Sequence, residues 1–146
     1  MKIIRHIYSI NFNKFERSPK RIVYIIFHYT GMLSEKKAIK RLTNKNSKVS
    51  CHYFIKRDGT IINMVPDKFV AWHAGLSSWK SHKNLNNKSI GIEIQNSGHI
   101  NKYECFSIKQ INSLLSLTKI LKKRYNIKSK NFLSHSDINP SRKKDP

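Results

Sequence analysis

Residues 22–27 read Ile22-Val23-Tyr24-Ile25-Ile26-Phe27, a run that is almost wholly apolar and rich in β-branched side chains. A short run of this kind predicts a strand buried on both faces in the middle of an α/β sheet. A histidine, His28, follows the run directly. Functional groups in α/β folds gather at strand ends, so His28 is a candidate for chemistry. Taken alone, a histidine there is more often a hydrogen-bonded core residue.

Two helices are predicted from their N-terminal caps. Ser34 is an N-cap residue, and the sequence after it places Ala38, Ile39 and Leu42 on one helical stripe. Residues 107–110, Ser-Ile-Lys-Gln, form a capping box that opens a helix to about Tyr125. The buried side of this second helix is expected to carry Ile111, Leu114, Leu115, Thr118 and Leu121.

The remaining strands are predicted from alternation and turn signals. Asp58-Gly59 between the β-rich segments 52–56 and 60–65 predicts a hairpin. Residues 89–95, Ser-Ile-Gly-Ile-Glu-Ile-Gln, predict a strand with three isoleucines on one face and Gly91, Glu93 and Gln95 on the other. Residues 66–88 predict a long loop, which within a compact domain is usually functional. We therefore predict an α/β fold, a mixed central β-sheet flanked by helices, in a single domain over residues 1–146 with an irregular segment at 1–20.

Composition limits the classes of partner. The chain has 146 residues, with 29 Lys and Arg against 8 Asp and Glu and a formal net charge of +21. Such a charge attracts polyanions, although a lysine-rich solvated surface explains it equally well. The sequence contains no recognition helix or aromatic-basic motif, so no specific nucleic-acid partner is predicted. Cys51 and Cys105 lie outside any Cys-x-x-Cys pair and are expected to be free buried thiols, with a single disulfide left open.

The sequence also predicts the compartment and the oligomeric state of the chain. No stretch reaches the roughly 20 apolar residues of a transmembrane helix, and residues 1–10 lack the features of a signal peptide. The chain as given is therefore expected to be cytoplasmic and monomeric. A trimmed form of a periplasmic or envelope-associated protein would look the same.

The segment that ends the sequence, His135-Ser-Asp-Ile-Asn-Pro-Ser-Arg-Lys-Lys-Asp145-Pro146, concentrates groups that can carry chemistry. With His28 it supplies two imidazoles and a carboxylate, and three protein ligands with an open fourth position are typical of catalytic zinc. Glu93 lies between isoleucines in its strand, so it is either a carboxylate on a solvated sheet face or a desolvated acid of raised pKa. Trp72 lies in the long loop and, like Trp79, is either a core anchor or part of an amphipathic floor for a sugar or peptide. His73 beside it could bind substrate, contact a ligand residue from behind, or be solvated.

Four segments together resemble the zinc-dependent N-acetylmuramoyl-L-alanine amidases of the type 2 amidase and peptidoglycan-recognition fold. They are Phe27-His28-Tyr29-Thr30; His52-Tyr-Phe-Ile-Lys-Arg-Asp-Gly59; Ala71-Trp-His-Ala-Gly75 with Ser89-Ile-Gly-Ile-Glu93; and the His135 to Asp145 segment. Their order and spacing agree from about residue 22 to the end.

The resemblance implies a role for each matching residue. His28, His135 and Asp145 match the Zn²⁺ ligands, Glu93 matches the catalytic glutamate, and Lys143 matches the lysine that assists it. His73, Trp72 and Tyr29 match positions around the substrate.

The implied reaction is hydrolysis of the amide between N-acetylmuramic acid, or its 1,6-anhydro form, and L-alanine in peptidoglycan fragments. Because Glu93 is present and Cys51 stands where phage-type amidases have tyrosine, the chain is more similar to the bacterial branch that trims muropeptides. The alternative is a peptidoglycan-recognition module that binds muropeptide without cleaving it.

Overall fold

A six-stranded mixed sheet forms the centre of the computed structural model, which describes residues 2–146. The strands are β1 (Ile3–Ile4), β2 (Phe12–Asn13), β3 (Tyr24–Tyr29), β4 (Tyr53–Ile55), β5 (Ile61–Asn63), β6 (Val70–Ala71), β7 (Ser78–Trp79), β8 (His82–Lys83), β9 (Ser89–Ile94) and β10 (Phe132–Ser134). The helices are α1 (Glu35–Thr43), α2 (Ile108–Tyr125) and α3 (His135–Ile138). The strand order in the six-stranded sheet is β1-β5-β4-β9-β3-β10. The predicted α/β class and mixed sheet are confirmed.

The apolar run at residues 22–27 leads into an interior strand of the sheet, β3, which lies next to the edge strand β10. Strand β3 pairs in parallel with β9 on one side and with β10 on the other. The strand extends to Tyr29, so His28 lies inside it rather than after it. The β3–β9 register aligns His28 with Glu93, and parallel neighbours in register point to the same face. Strand pairing therefore brings together two of the predicted site residues.

The two faces of the sheet carry different layers. On one face, Ile25 of β3 and the three isoleucines of β9 pack against Leu117 and Leu121 of α2. On the other face, α1 covers β4 and β5 through a cluster that includes Ala38, Leu42, Cys51 and Phe54. A third cluster packs Ala74 and Leu85, from the segment between β6 and β9, against β3 and β10. His28 and Glu93 lie on this second face.

Both predicted helices are present and begin where their caps predict. The Ser34 side chain accepts a hydrogen bond from the Lys37 N–H, and Ser107 and Gln110 form the reciprocal bonds of a capping box. One detail of α2 was predicted wrongly. Leu115 is 62% exposed, whereas Leu117 is 2% exposed and joins the core. Apolar residues occur at both positions, and tertiary packing selects the stripe that faces the sheet.

The segments predicted as irregular contain short strands. Within residues 1–20, β1 pairs in parallel with β5, and β2 pairs with β6. Within residues 66–88, β7 and β8 form a two-stranded hairpin. The Asp-Gly hairpin is confirmed, since β4 and β5 are antiparallel across it. Cys51 is a buried free thiol as predicted, but Cys105 is exposed.

None of the helices in residues 2–146 combines the length and the apolar character needed to cross a lipid bilayer.

Candidate active site

One side chain of β3 and two from the segment that ends the sequence converge on one point near the end of β3. His28 Nδ1 lies 2.8 Å from His135 Nδ1 and 3.3 Å from Asp145 Oδ2, and His135 Nδ1 lies 3.1 Å from the same carboxylate oxygen. All three residues are buried. Tetrahedral zinc with bonds of about 2.0–2.1 Å separates its ligand atoms by about 3.3 Å, so this triangle has the size of a metal site.

A hydrogen bond to a backbone carbonyl fixes which nitrogen of His135 carries the proton. His135 Nε2 lies 3.2 Å from the carbonyl oxygen of Ala74, which can only accept a hydrogen bond. The Nε2 of a neutral imidazole must therefore carry the hydrogen. Its Nδ1 then presents a lone pair towards His28 and Asp145.

A chain of hydrogen bonds through Ser89 and His73 fixes the tautomer of His28 in the same way. The Ser89 hydroxyl donates to the Leu85 carbonyl at 2.7 Å, so its oxygen accepts from His73 Nε2 at 3.2 Å. His73 Nδ1 is then an acceptor, and His28 Nε2, 3.0 Å away, donates to it. Burial lowers the pKa of His28 to about 4 and that of His73 well below its ordinary value, so both rings are neutral near pH 7.

Three electron pairs therefore face one another in a buried space. They belong to His28 Nδ1, His135 Nδ1 and the Asp145 carboxylate, and the tautomers leave no proton between the two rings. A cation relieves the repulsion among such groups, so the residues fit a metal ion, which they could hold with each imidazole oriented by a hydrogen bond from behind.

Glu93 lies beside these ligands with an atom that has no partner. Its Oε2 is buried and accepts no hydrogen bond within the described residues. Burial first, and the nearby charge of Asp145 second, raise the pKa of Glu93 to about 8. Of the two interpretations of Glu93, the desolvated acid is the one the geometry favours. A carboxyl of this kind can take up and release a proton near neutrality.

Lys143 lines the same cavity of about 230 Å³ as Glu93 and the three ligands. Its positive charge lowers the pKa of Glu93, which places the ammonium within electrostatic reach of the carboxyl. The segment that carries Lys143 is held at both ends. The Ser136 N–H donates to the Asp145 carbonyl at 2.9 Å, and the Lys143 N–H donates to the Asn139 carbonyl at 3.0 Å. These bonds position Asp145 and Lys143 relative to His135.

The three residues matched to substrate positions also line this cavity, but in different ways. Trp72 is half-buried, and its indole N–H donates to Asn13 Oδ1 at 2.8 Å. The Tyr29 hydroxyl lies 2.8 Å from His99 Nδ1. Both ring nitrogens of His73 are occupied by His28 and Ser89. Trp72 and Tyr29 therefore line the cavity with their polar atoms bonded to Asn13 and His99, whereas both polar atoms of His73 are directed to the protein.

Sequence reasoning missed the groups that orient the ligands. They are the carbonyls of Ala74 and Leu85 and the hydroxyl of Ser89, of which only Ser89 has a side chain to mark it. Sequence reasoning also did not identify Gly91 as a residue that matters for the site. A Cβ at residue 91 would lie 2.3 Å from His73 Cγ, so the glycine leaves the space that the imidazole occupies. The glycine in the otherwise β-branched strand was the available signal.

These features define a class of protein: a mixed α/β domain in which two histidines and one carboxylate could hold a metal ion beside a partly buried acid, an arrangement typical of hydrolases.

Comparison with known proteins gives the family. Residues 18–146 match the family described as N-acetylmuramoyl-L-alanine amidase, and the chain belongs to it. It is 37% identical over 138 residues to N-acetylmuramoyl-L-alanine amidase AmiD of Escherichia coli (strain K12), covering 86% of this chain and 49% of the relative. It is also 37% identical over 99 residues to 1,6-anhydro-N-acetylmuramyl-L-alanine amidase AmpD of Citrobacter freundii, covering 68% of this chain and 51% of the relative. The chain thus spans about half the length of these relatives.

Solved structures agree with this assignment. The E. coli AmiD structure, in complex with the substrate anhydro-N-acetylmuramic acid-L-Ala-D-gamma-Glu-L-Lys, has a TM-score of 0.79 at 36% identity, covering 86% of this chain and 52% of that one. The AmpDh3 structure from Pseudomonas aeruginosa in complex with anhydromuramic pentapeptide has a TM-score of 0.80 at 33% identity, covering 92% and 57%. The predicted family and fold are confirmed.

Proposed function

We propose that this chain is a zinc-dependent amidase that hydrolyses the bond between N-acetylmuramic acid, or its 1,6-anhydro form, and L-alanine in peptidoglycan fragments. The observation that carries the proposal is the convergence of three lone-pair donors beside the unpartnered Oε2 of Glu93. The relatives named above as amidases, and the AmiD and AmpDh3 structures with muropeptides bound, support the choice of substrate.

His28, His135 and Asp145 are the proposed zinc ligands. Two imidazoles and one carboxylate with an open fourth position are typical of catalytic zinc. When bound, the ion supplies Lewis-acid activation of a water molecule and of the scissile carbonyl. The neutral state of His28, which its burial enforces, keeps the Nδ1 lone pair available for that ion.

Glu93 is the proposed proton carrier. Its ionised Oε2 can accept the proton of the attacking water, because no other group occupies that atom. The raised pKa then allows the same carboxyl to hold the proton until the leaving amine of L-alanine takes it. Burial thus prepares Glu93 for both halves of the reaction.

Lys143 is proposed to support the negative charge that develops on the carbonyl oxygen of the substrate. Its ammonium lines the cavity, and it is already close enough to lower the pKa of Glu93. A fixed cation in a half-enclosed site stabilises an oxyanion more than it would in water. Trp72 and Tyr29 are proposed to contact the sugar or the peptide. For His73, the hydrogen bonds favour orientation of His28 over direct contact with substrate.

Muropeptide cleavage tests the proposal directly. The purified chain should release the peptide from anhydro-muropeptide, seen by mass spectrometry, and lose this activity when a chelator removes zinc. Glu93→Gln should keep the bound zinc and lose roughly 10²–10⁴-fold in turnover. Glu104→Gln is a matched control, since Glu104 pairs with Arg57 outside the cavity.

Two results would contradict the mechanism. Activity that persists after all zinc is removed would exclude the metal. Near-normal turnover of Glu93→Gln would exclude Glu93 as the proton carrier. Tight muropeptide binding without cleavage, at full zinc occupancy, would instead support the non-catalytic recognition module.

A further inference from the structure

Arg41 belongs to two cavities at once. It lies in the last turns of α1 and is exposed, and it lines the catalytic cavity together with Glu93 and Lys143. It also lines an adjoining open groove of about 400 Å³. Arg41 therefore stands where the two spaces meet.

The adjoining groove is basic. Its walls contain three cations, and none of its lining residues is acidic: Lys37, Lys40, Arg41, Asn44, Asn46 and Ser47. The only acidic residue of α1, Glu35, lies at the opposite end of the helix, 3.3 Å from Lys56 Nζ and bonded to the Arg57 N–H. Within residues 2–146 no carboxylate forms an ion pair with Arg41. This surface is complementary to an acidic ligand.

The charge of Arg41 reaches the catalytic carboxyl. Together with Lys143, it lowers the pKa of Glu93, whose rise is due to burial. Cations near a helix C-terminus are favourable in any protein because of the helix dipole. That effect accounts for a cation in the last turn, but it does not require the side chain to line the catalytic cavity.

The chemistry of a muropeptide supplies a matching anion. In the substrate bound to E. coli AmiD, L-alanine is followed by a γ-linked D-glutamate. A γ-linkage leaves the α-carboxylate of that residue free. Two residues extend at most about 7 Å, so this carboxylate lies within one side-chain length of the scissile bond.

We propose that Arg41 binds the free α-carboxylate of the second residue of the stem peptide. This inference builds on the proposed function and names the part of the substrate that the chain selects.

One pair of substrates isolates the contact. They are the anhydro-muropeptide and the same molecule with its glutamate α-carboxylate converted to the amide, which differ by a single charge. The ratio of their kcat/KM values should favour the carboxylate by about tenfold for the unmodified chain, because a charge-assisted hydrogen bond is lost with the amide. In Arg41→Ala the ratio should fall to about one, and in Arg41→Glu it should invert.

Using a ratio removes the main ambiguity. Any change that Arg41→Ala causes in the pKa of Glu93 affects both substrates alike and cancels. Lys36→Ala is the matched control, because Lys36 is exposed on the same helix but lines neither cavity. The ratio should also decrease with added salt in the unmodified chain, since an exposed pair is screened.

The outcomes separate the two proposals. If the unmodified chain cleaves both substrates equally, or if Arg41→Ala keeps the full preference, the Arg41 subsite is wrong while the amidase stands. If Lys36→Ala loses the preference for the carboxylate substrate as Arg41→Ala does, the preference comes from general surface charge and not from Arg41. If zinc-loaded chain cleaves neither substrate, the proposed function itself fails.

Discussion

Replacing Glu93 by glutamine should stabilise the fold, and the gain should grow with pH. Burial raises the pKa of Glu93 from 4.5 to about 8 in the folded chain. Between these pH values the folded chain binds a proton that the unfolded chain has released, so stability falls as pH rises. At about 1.4 kcal/mol per pKa unit, discounted for partial solvent access, the effect amounts to roughly 2–4 kcal/mol at pH 8. Glutamine has nearly the same shape as glutamate and does not ionise, so Glu93→Gln should not lose stability as the pH rises.

Urea unfolding of chelator-treated protein at pH 5 and pH 8 measures the effect. The difference in unfolding free energy between Glu93→Gln and the unmodified chain should be larger at pH 8. Glu104→Gln is a control of opposite sign, because the contact with Arg57 lowers the pKa of Glu104 and its ionised form is favoured in the folded state. Added zinc should shrink the Glu93→Gln gain, since a nearby cation favours the carboxylate. A difference that does not change between pH 5 and pH 8 would refute the reasoning.

Three further predictions concern the groups around the site and one helix cap. His73→Ala removes the acceptor of the His28 Nε2–H and should weaken zinc affinity by about 10–100-fold in a chelator competition. The control His6→Ala, at an exposed histidine, should leave zinc affinity unchanged, and equal affinities of the two variants would show that His73 does not orient His28. Gly91→Ala places a Cβ 2.3 Å from His73 Cγ, so it should lower the free energy of unfolding in urea by about 1–3 kcal/mol and should also weaken zinc affinity. An unchanged urea midpoint would show that the imidazole can move aside freely. Ser107→Ala removes the capping box of α2 and should cost about 1 kcal/mol of unfolding free energy, and no loss would mean that the cap is dispensable.

The elements of the fold were readable because their signals are local. A capping box spans four residues, an Asp-Gly turn spans two, and a buried strand is recognised as a short β-branched run. The wrong assignment of Leu115 to the core of α2 has the opposite origin. Leu114, Leu115 and Leu117 allow more than one apolar stripe, and only contact with the sheet selects Leu117.

The short strands β1 and β2 escaped prediction for a related reason. Each is two residues long and is defined by pairing with β5 or β6 rather than by its own composition. The exposure of Cys105 likewise depends on where its loop lies, which no neighbouring residue in the sequence determines.

The sequence by itself determined the longer strands, the two capped helices and the set of candidate site residues that the family resemblance singles out: His28, Glu93, Lys143 and the His135–Asp145 segment. Tertiary structure decided what those groups do to one another. Parallel pairing of β3 with β9 aligns His28 with Glu93, and its pairing with β10 joins residues more than a hundred positions apart. Two backbone carbonyls set the imidazole tautomers. Burial gives Glu93 its raised pKa, and the placement of α1 brings Arg41 to the cavity. These properties depend on distance and on access to water, which only the folded chain specifies.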